Sequence, residues 1–297
     1  MSTGASQVSP TESWTIARVL DWAGQDFKAK GLESPRLDAE LLLGHVLGLS
    51  RIKLIMEAGR PLVQGELSAF RELVRRRRRH EPVAYILGYR EMYGLRFRVD
   101  PRVLIPRPDT EALVGVALRR TQRHSQFGNA LDLCTGSGCV AIAFAHHRPT
   151  WRVTGTDDSA GALALARENA LRLGTIWGVS FSQGDLFQAV PGQCFDLITA
   201  NPPYIPSREV DSLDPTIRDF EPRSALDGGA NGLILIEKLV AEAPRHLHPR
   251  GILALEVAYD QSPSVLGLME RAGFTELETE RDYGGHERVI SGRFSGS

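Results

Sequence analysis

The chain has 297 residues with 42% hydrophobic and 24% charged side chains, and its formal net charge is −1. These values are ordinary for globular proteins and exclude collagen-like, mucin-like and wholly disordered chains. No apolar run approaches the roughly 18 residues that cross a bilayer, and the polar stretch 1–12 does not resemble a signal peptide. We therefore expect a cytoplasmic protein without a membrane segment.

The first third of the chain predicts a small helical domain over residues 1–90. Apolar residues recur at helical spacing from 14 to 87, and Pro35, Pro61 and Pro82 stand where helices begin or end. Residues 1–100 carry a net charge of +4, whereas residues 101–297 carry −5. This asymmetry indicates two halves with different uses.

The segment 91–107 predicts a β-hairpin that links two domains. Leu95, Phe97 and Val99 alternate with polar residues, which is the pattern of a half-buried strand. Asp100-Pro101 predicts the turn, and the apolar run 103–105 predicts the partner strand.

Residues 108–297 predict a third element of the architecture, an α/β domain. Helices are expected at about 110–123, 139–147, 159–173 and 233–246, and strands near 130–134, 151–157, 179–184, 195–200 and 251–257. Such alternation predicts a mostly parallel sheet that is covered on both faces. A last pair of strands, about 275–280 and 288–294, follows as an antiparallel hairpin joined by 282–285.

A glycine-rich loop follows the first strand of this domain. The sequence DLCTGSG at 132–138 opens a helix, which is where such sheets bind nucleotide-like ligands. Asp157 ends the next strand about 20 residues later, the spacing at which an acid accepts ribose hydroxyls. The alternatives are a plain tight turn and a cap on the following helix, although Asp158 or Ser159 suits that cap better. Both dinucleotide dehydrogenases and S-adenosylmethionine (SAM) methyltransferases share these features.

The sequence NPPY at 201–204 distinguishes methyl transfer from hydride transfer. The Asn201 side-chain oxygen and the Pro202 carbonyl can each accept one hydrogen of an NH₂ group, which aims its nitrogen at a methyl donor. Pro203 stiffens the backbone, and Tyr204 can stack on the planar group. The alternative is a rigid surface turn with an exposed aromatic ring.

Six stretches together resemble the HemK/PrmC family of protein-(glutamine-N5) methyltransferases, over nearly the whole chain. They are IPRPDTEALV (105–114), LDLCTGSGCVAIA (131–143), GDLF (184–187), NPPYI (201–205), FEPRSALDGGANGL (220–233) and RDYGGHERV (281–289). The resemblance implies a class I SAM-dependent methyltransferase fold, Rossmann-like with a mostly parallel seven-stranded sheet, over 108–297. It also implies that the helical amino-terminal domain helps to bind the protein substrate.

The same resemblance assigns the parts of SAM to residues of this sequence. The methionine part is expected against Cys134, Thr135, Gly136, Ser137 and Gly138. Asp157 is expected at the ribose, Asp185 and Leu186 near the adenine, and Asn201 beside both cofactor and substrate. Two residues depart from the family pattern, because Leu186 stands where an aromatic residue is common and Cys134 where glycine is common.

The implied activity is transfer of a methyl group from SAM to the glutamine of the Gly-Gly-Gln motif in peptide chain release factors, which modulates translation termination. Three alternatives stay open: a glutamine of a large-subunit ribosomal protein, the N6 of adenine, and a nucleotide-binding module or dehydrogenase. The charge of −5 over residues 101–297 argues against nucleic acid, which needs basic surface. The expected partner is a release factor, and the expected state is a monomer.

Several charged or metal-binding residue types allow two interpretations. Arg107 and Glu111 lie in a family motif but also fit helix capping, and Glu221, Asp282 and Arg288 either organise the rim of the site or form surface ion pairs. The arginine run 75–79 either contacts RNA or an acidic release-factor surface, or is a solvated helix face. His246 and His248 are expected at the surface. The three cysteines lack the CxxC spacing of a zinc site, so no metal is expected.

Overall fold

The computed structural model describes residues 13–122, 124, 126–282 and 284–296, so the stretch 1–12 lies outside the described residues. The chain divides into two compact units, Met1–Leu87 and Gly88–Ser297. Within the described part of the chain, no helix is both long and apolar enough to cross a membrane.

The first unit is helical, as the spacing of its apolar residues predicts. Its helices are α1 (Ile16–Ala29), α2 (Pro35–Leu47), α3 (Arg51–Met56), α4 (Gln64–Arg77) and α5 (Val83–Leu87). The Thr15 side chain caps α1 by accepting a hydrogen bond from the Arg18 backbone N–H, and Pro35 opens α2. Phe27, Leu42 and Phe70 lie in a core that the helices share.

The arginine run 75–79 is not a uniformly solvated face. Arg77 is buried, and its Nε lies 2.8 Å from Oδ2 of Asp38, which is also buried. A buried guanidinium needs a carboxylate because an unpaired charge costs several kcal/mol, on the order of 3 to 5. Other arginines of the run pair within the unit as well: Arg75 with Glu72, Arg76 with Glu81 and Arg78 with Asp26.

The predicted hairpin exists, but it lies earlier in the chain than expected. Strands β1 (Tyr89–Met92) and β2 (Leu95–Arg98) pair in antiparallel register, with Met92 opposite Leu95. The turn is Tyr93-Gly94, whose φ values of 50° and 73° are both positive, as a two-residue hairpin turn requires. The partner strand expected at 103–105 was therefore wrong. The turn expected at Asp100-Pro101 is present, since the Val103 N–H donates to the Asp100 carbonyl at 3.1 Å, but it does not join two strands. The alternation of β2 is confirmed.

The second unit contains a seven-stranded sheet in the order β5-β4-β3-β6-β7-β9-β8. Its strands are β3 (Asn129–Leu133), β4 (Arg152–Asp157), β5 (Val179–Gln183), β6 (Phe195–Ala200), β7 (Leu247–Glu256), β8 (Phe274–Arg281) and β9 (Glu287–Phe294). All neighbours from β5 to β7 are parallel, and β9 is antiparallel to both β7 and β8. The predicted mixed sheet is confirmed, while residue 283, in the predicted turn 282–285, lies outside the described residues.

Helices cover both faces of this sheet. They are α6 (Thr110–Arg120), α7 (Cys139–His147), α8 (Ala160–Arg172), α11 (Ile234–Glu242) and α12 (Ser262–Arg271). Two short helices, α9 (Ser207–Val210) and α10 (Pro215–Arg218), lie in the connection after β6. Successive residues of β7 alternate between the faces, so that Leu253 and Leu255 pack with α11 and α12, whereas Ala254 packs with α6 and α7. Burial on both sides explains why residues 251–255 of β7 are apolar without interruption.

Helix α12 and the burial of His246 also differ from the sequence-based expectations. Helix α12 was not predicted, although Val265 and Met269, four residues apart, are buried on its inner face. His246 was expected at the surface but is buried, with its ring stacked on Phe187 at a centroid distance of 4.5 Å. His248 is exposed, as expected.

Candidate active site

A cavity opens at the carboxyl ends of β3, β4 and β6, where the strand order reverses from β3-β4-β5 to β6-β7. Such a switch point leaves a crevice because neighbouring loops run to opposite faces of the sheet. Of the predicted site residues, nine line the cavity: Cys134, Thr135, Gly136, Ser137, Asp157, Asp185, Leu186, Asn201 and Pro203. Three others do not line it: Gly138, Pro202 and Tyr204.

The glycine-rich loop brings its backbone close to the cavity. Gly136 and Gly138 have φ values of 53° and 78°, a region that side chains rarely adopt. Gly138 directly precedes α7, and a Cβ there would lie 2.9 Å from Cδ1 of Ile142. Gly138 therefore shapes the loop from behind, while Gly136 lines the cavity itself.

Cys134 also has a positive φ, 55°, which is unusual for a residue with a side chain. The resemblance places glycine here in many family members, and this backbone conformation is the physical reason for that preference. Burial raises the pKa of the Cys134 thiol, so the thiol stays protonated at neutral pH. The side chain acts as a small apolar group in the wall.

Asp157 connects the glycine loop to the next helix. Its Oδ2 accepts a hydrogen bond from the Gly136 N–H at 2.9 Å, and its Oδ1 accepts one from the Ser159 N–H at 3.0 Å. The Ser159 hydroxyl caps α8, as predicted, by accepting from the Ala162 N–H. Burial raises the pKa of Asp157, and the two backbone N–H groups oppose that effect. Each carboxylate oxygen keeps a lone pair for a ligand.

Asp185 and Leu186 form another part of the wall. The carboxylate of Asp185 pairs with the ammonium group of Lys238 on α11. Leu186 is buried and has a φ of 47°, so it is held in a conformation that costs on the order of 1 kcal/mol or more. Strained residues persist where their surroundings fix them, and Leu186 and Cys134 both lie in this cavity.

Asp132 also lines the cavity, although the sequence predicted no role for it beyond its place in the DLCTGSG motif. Its two oxygens accept hydrogen bonds from the hydroxyls of Thr135 at 2.6 Å and Thr199 at 2.7 Å. Burial raises the pKa of Asp132 to about 6. The carboxylate thus joins the end of β3 to β6, and an acid at the end of a buried strand was the signal that could have revealed it.

The NPPY segment directly follows β6. The Asn201 Nδ2 donates to Oγ1 of Thr110 at 3.3 Å, which leaves the amide oxygen available as an acceptor. Pro202 is buried and Pro203 contributes to the cavity wall. The Tyr204 hydroxyl instead donates to Oε1 of Glu256 at 3.4 Å, and burial raises the pKa of that phenol.

The segment 220–233 packs directly on NPPY. The Ile205 N–H donates to the Leu226 carbonyl at 3.0 Å, and the Gly228 N–H donates to the Ile205 carbonyl at 2.8 Å. A Cβ on Gly228 would lie 2.7 Å from the Pro203 carbonyl oxygen, so only glycine fits this contact. The NPPY segment and the segment 220–233, which are separate in sequence, thus pack together and hold each other in place.

Glu221 is buried and pairs with Arg107, whose side chain is partly exposed. Oε2 of Glu221 accepts from the Ile105 N–H at 2.9 Å, and Oε1 lies 2.6 Å from the Arg107 Nη2. The Glu221 side chain is 1% exposed, so this contact holds two chain segments together. Pro222, next to Glu221, lines the cavity.

Arg288 and Glu111 also have structural partners within this unit. Nε of Arg288 lies 3.1 Å from Oδ2 of Asp282, whose side chain is buried. Oε1 of Glu111 accepts from the Tyr93 N–H at 2.8 Å and thereby fixes the hairpin turn. The interpretation of Glu111 as capping chemistry was therefore incomplete, and the surface-pair interpretation of Asp282 with Arg288 was wrong.

Comparison with known proteins places this site in a family. A release factor glutamine methyltransferase of Geobacter sulfurreducens is 45% identical over 282 residues, covering 95% of this chain and 98% of that protein. The enzyme of the same description from Vibrio cholerae is 42% identical over 283 residues, covering 95% and 98%. The chain belongs to the release factor glutamine methyltransferase family. The resemblance noted in the sequence, the fold class and the enzyme class are confirmed: the chain is a methyltransferase.

Family descriptions and solved structures agree with this membership. Residues 18–88 match the PrmC N-terminal domain, and residues 111–214 match the methyltransferase small domain. A methyltransferase from Pyrococcus furiosus has a TM-score of 0.52 at 22% identity and covers 69% of this chain and 91% of that one. The hMettl16 catalytic domain has a TM-score of 0.55 at 14% identity and covers 74% and 84%. At these identities the structures show a shared fold alone.

Within the described ranges, no group of three or more His, Cys, Asp or Glu side chains has an arrangement that could hold a metal ion. The polar side chains that line the cavity include the hydroxyls of Thr and Ser, the carboxylates of Asp and the amide of Asn201. Such a set suits an organic ligand with hydroxyl and amino groups.

Proposed function

We propose that this member of the release factor glutamine methyltransferase family transfers a methyl group from SAM to the side-chain amide nitrogen (N5) of the glutamine in the Gly-Gly-Gln motif of peptide chain release factors, and so modulates translation termination. One observation carries the proposal. The Asn201 amide lies in the wall of a cavity at the sheet switch point, with its Nδ2 engaged by Thr110 and its oxygen available as an acceptor.

The residues that line the cavity suit the chemistry of SAM. Gly136 lets the backbone approach the methionine part closely, with Cys134, Thr135 and Ser137 beside it. Asp157 can accept the ribose hydroxyls with the lone pairs that its two backbone donors leave over. Leu186 offers an apolar surface to the adenine, with Asp185 next to it. When bound, SAM supplies an electrophilic methyl carbon.

The residues of NPPY orient the nitrogen of the substrate. An amide nitrogen is a poor nucleophile because its lone pair is delocalised into the carbonyl group, so positioning has to supply much of the rate. The Asn201 oxygen and the Pro202 carbonyl each accept one N–H of the substrate, and orientation of this kind contributes up to about 7 to 11 kcal/mol. The two acceptors stabilise positive charge as it develops on the nitrogen, and the proton then leaves to water.

Tyr204 keeps its proposed place beside the planar amide of the substrate. The ring follows Pro203 directly but does not line the cofactor cavity, so it belongs to the substrate side of the NPPY segment in this proposal. The backbone there is held from behind, because Nε2 of Gln261 donates to the Tyr204 carbonyl at 2.9 Å. The substrate glutamine can stack on the Tyr204 ring if it reaches the NPPY segment.

The choice of a release factor as the substrate rests on the relatives, whose names specify that substrate. We therefore place the protein in the cytoplasm, where translation terminates, and assign it a monomeric state. Purified protein incubated with radiolabelled SAM and a release factor tests the proposal. We expect one methyl group on the glutamine of Gly-Gly-Gln, localised by mass spectrometry, and no label on the Gln→Ala release factor.

Equal labelling of the release factor and its Gln→Ala variant would refute the proposal. Two further reactions in the same assay contain a large-subunit ribosomal protein mixture and an adenine-containing DNA duplex in place of the release factor. Preferential labelling of either one would assign the enzyme to that substrate instead.

A further inference from the structure

Glu256 is a buried acid that the mechanism above does not use. It ends strand β7, two strands away from the glycine loop, and none of its surface is exposed. Its Oε1 accepts from the Tyr204 hydroxyl at 3.4 Å, whereas its Oε2 is buried without a hydrogen-bond partner among the described residues. A buried carboxyl oxygen without a donor is costly, so its retention here calls for a reason.

Thr110 connects the same carboxyl group to the catalytic amide. The Thr110 side chain lies close enough to Glu256 to lower the pKa of its carboxyl against the effect of burial. Oε2 of Glu256, which has no hydrogen-bond partner among the described residues, is the atom to which the Thr110 hydroxyl can donate. The Thr110 Oγ1 also faces the Asn201 Nδ2 at 3.3 Å. Glu256 therefore stands behind both polar side chains of NPPY, directly for Tyr204 and through one hydroxyl for Asn201.

The direction of these hydrogen bonds decides which end of the Asn201 amide faces the substrate. A hydroxyl has one proton, so a Thr110 that donates to a carboxylate can only accept from Asn201. Only the Nδ2 end of the amide can donate to it, and the oxygen is then left for the NH₂ group of the substrate. If Thr110 donated to Asn201 instead, the Asn201 amide would be turned around. Its own NH₂ group would then face the NH₂ group of the substrate, and neither group can accept a hydrogen bond.

We propose that Glu256 is a positioning residue for methyl transfer, whose carboxylate accepts a hydrogen bond from the Thr110 hydroxyl and thereby fixes the Asn201 amide with its oxygen toward the substrate. This inference rests on the proposed function, since it assigns Glu256 a part in that reaction. Its geometric content, the direction of the Asn201 amide, is measurable without any substrate.

The ionisation of Glu256 makes this arrangement sensitive to pH. Burial raises the pKa of Glu256 to about 7. The charged and titratable groups that face it are Arg288 on β9, Asp109 before α6, the Tyr204 phenol, and the Cys139 thiol on α7. Arg288 favours the carboxylate and Asp109 opposes it, while burial keeps Tyr204 and Cys139 neutral near pH 7. Below about pH 7, Glu256 becomes a donor and Thr110 no longer has to donate to it.

The test compares wild type with Glu256→Gln, Thr110→Val and the matched control Glu270→Gln, an exposed residue on α12. Rates of release-factor methylation are measured from pH 5.5 to 9, and SAM affinity is measured by calorimetry. In Glu256→Gln we expect kcat at pH 8 to fall about five- to tenfold, because a charge-assisted hydrogen bond is replaced by a neutral one. SAM affinity should stay within about twofold, and the acid limb with a midpoint near 7 should disappear.

A second readout needs no release factor. Asn201 is one of four asparagines, so its side-chain amide signal can be assigned in a ¹⁵N-asparagine sample by its loss in Asn201→Asp. We expect this signal to titrate with a midpoint near pH 7 in wild type and in Glu270→Gln, and not to titrate in Glu256→Gln.

The outcomes separate the inference from the proposed function. If wild type methylates no release factor, the proposed function fails and the amide titration alone decides the inference. An unchanged kcat and pH profile in Glu256→Gln, or an Asn201 amide that titrates as in wild type, overturns it. If Glu256→Gln fails to fold, Thr110→Val is used in its place. A lower kcat of Thr110→Val with unchanged SAM affinity supports the inference, and a kcat equal to that of wild type overturns it.

Discussion

Asp157 is the residue at which cofactor binding and loop structure are most directly coupled. The substitution Asp157→Asn keeps the shape of the side chain but replaces one oxygen by an NH₂ group. Because each oxygen of Asp157 faces a backbone donor, at 2.9 Å from the Gly136 nitrogen and 3.0 Å from the Ser159 nitrogen, one N–H must then face another donor. The glycine loop or the start of α8 loses its anchor in either orientation.

The magnitude follows from these two contacts. A hydrogen bond to a charged group contributes about 1.5 to 3 kcal/mol, and loss of one partner leaves the other unsatisfied. We expect the free energy of unfolding to fall by about 1 to 3 kcal/mol. The affinity for SAM should fall by a similar amount, about 5- to 150-fold in Kd, because the charged acceptor for the ribose hydroxyls is lost.

Isothermal titration calorimetry with SAM and urea unfolding, each at pH 8, measure the two effects. Asp260→Asn, at an exposed position, is the matched control and should change neither quantity. A SAM affinity within twofold of wild type in Asp157→Asn would show that the ribose lies elsewhere. A normal free energy of unfolding with weak binding would show that Asp157 contacts the ligand without anchoring the loop.

Three further predictions address the site. Asn201→Ala should abolish methyl transfer while SAM affinity stays within a few-fold by calorimetry, and equal loss of both would make Asn201 chiefly a cofactor ligand. Gly228→Ala should destabilise the protein by about 1 to 3 kcal/mol in urea unfolding, because its Cβ would lie 2.7 Å from the Pro203 carbonyl oxygen; an unchanged midpoint contradicts this. Folding raises the pKa of Glu256 from 4.5 to about 7, so the native state holds this proton more tightly and stability falls as pH rises between these values. Glu256→Gln should therefore exceed wild type in stability at pH 8 by about 3 kcal/mol, since one pKa unit is about 1.4 kcal/mol, and at pH 4.5 the two should converge; equal stability at pH 8 would contradict the burial argument.

Local pattern was sufficient to predict the main elements of the α/β unit. The bounds of β6 (Phe195–Ala200) and α7 (Cys139–His147) agree with the sequence-based prediction. Both are strongly apolar segments with clear ends: a glycine precedes α7, and two prolines follow β6. The spacing of their apolar residues reflects burial on one or two faces, and this spacing can be read directly from the sequence.

The hairpin shows where local pattern was not enough. Asp100-Pro101 has the composition of a turn, yet the hairpin turns at Tyr93-Gly94. The turn there is fixed by a residue distant in sequence, because Glu111 accepts from the Tyr93 N–H. Turn composition is shared by many loops, so it locates a turn without showing which strands it joins.

The sequence by itself determined the fold class, the family, and nine residues of the cavity wall, because the glycine loop, Asp157 and NPPY each follow a recognisable strand. Only the tertiary structure decided that Glu256 lies behind Tyr204, that Asp132 joins two strands, and that 220–233 braces NPPY. These contacts join segments that are tens of residues apart. The alternation of apolar and polar residues shows which side of a strand is buried. It does not show which distant residue forms a hydrogen bond with a buried polar atom. In this site, those pairings set the direction of the hydrogen bonds and the pKa values.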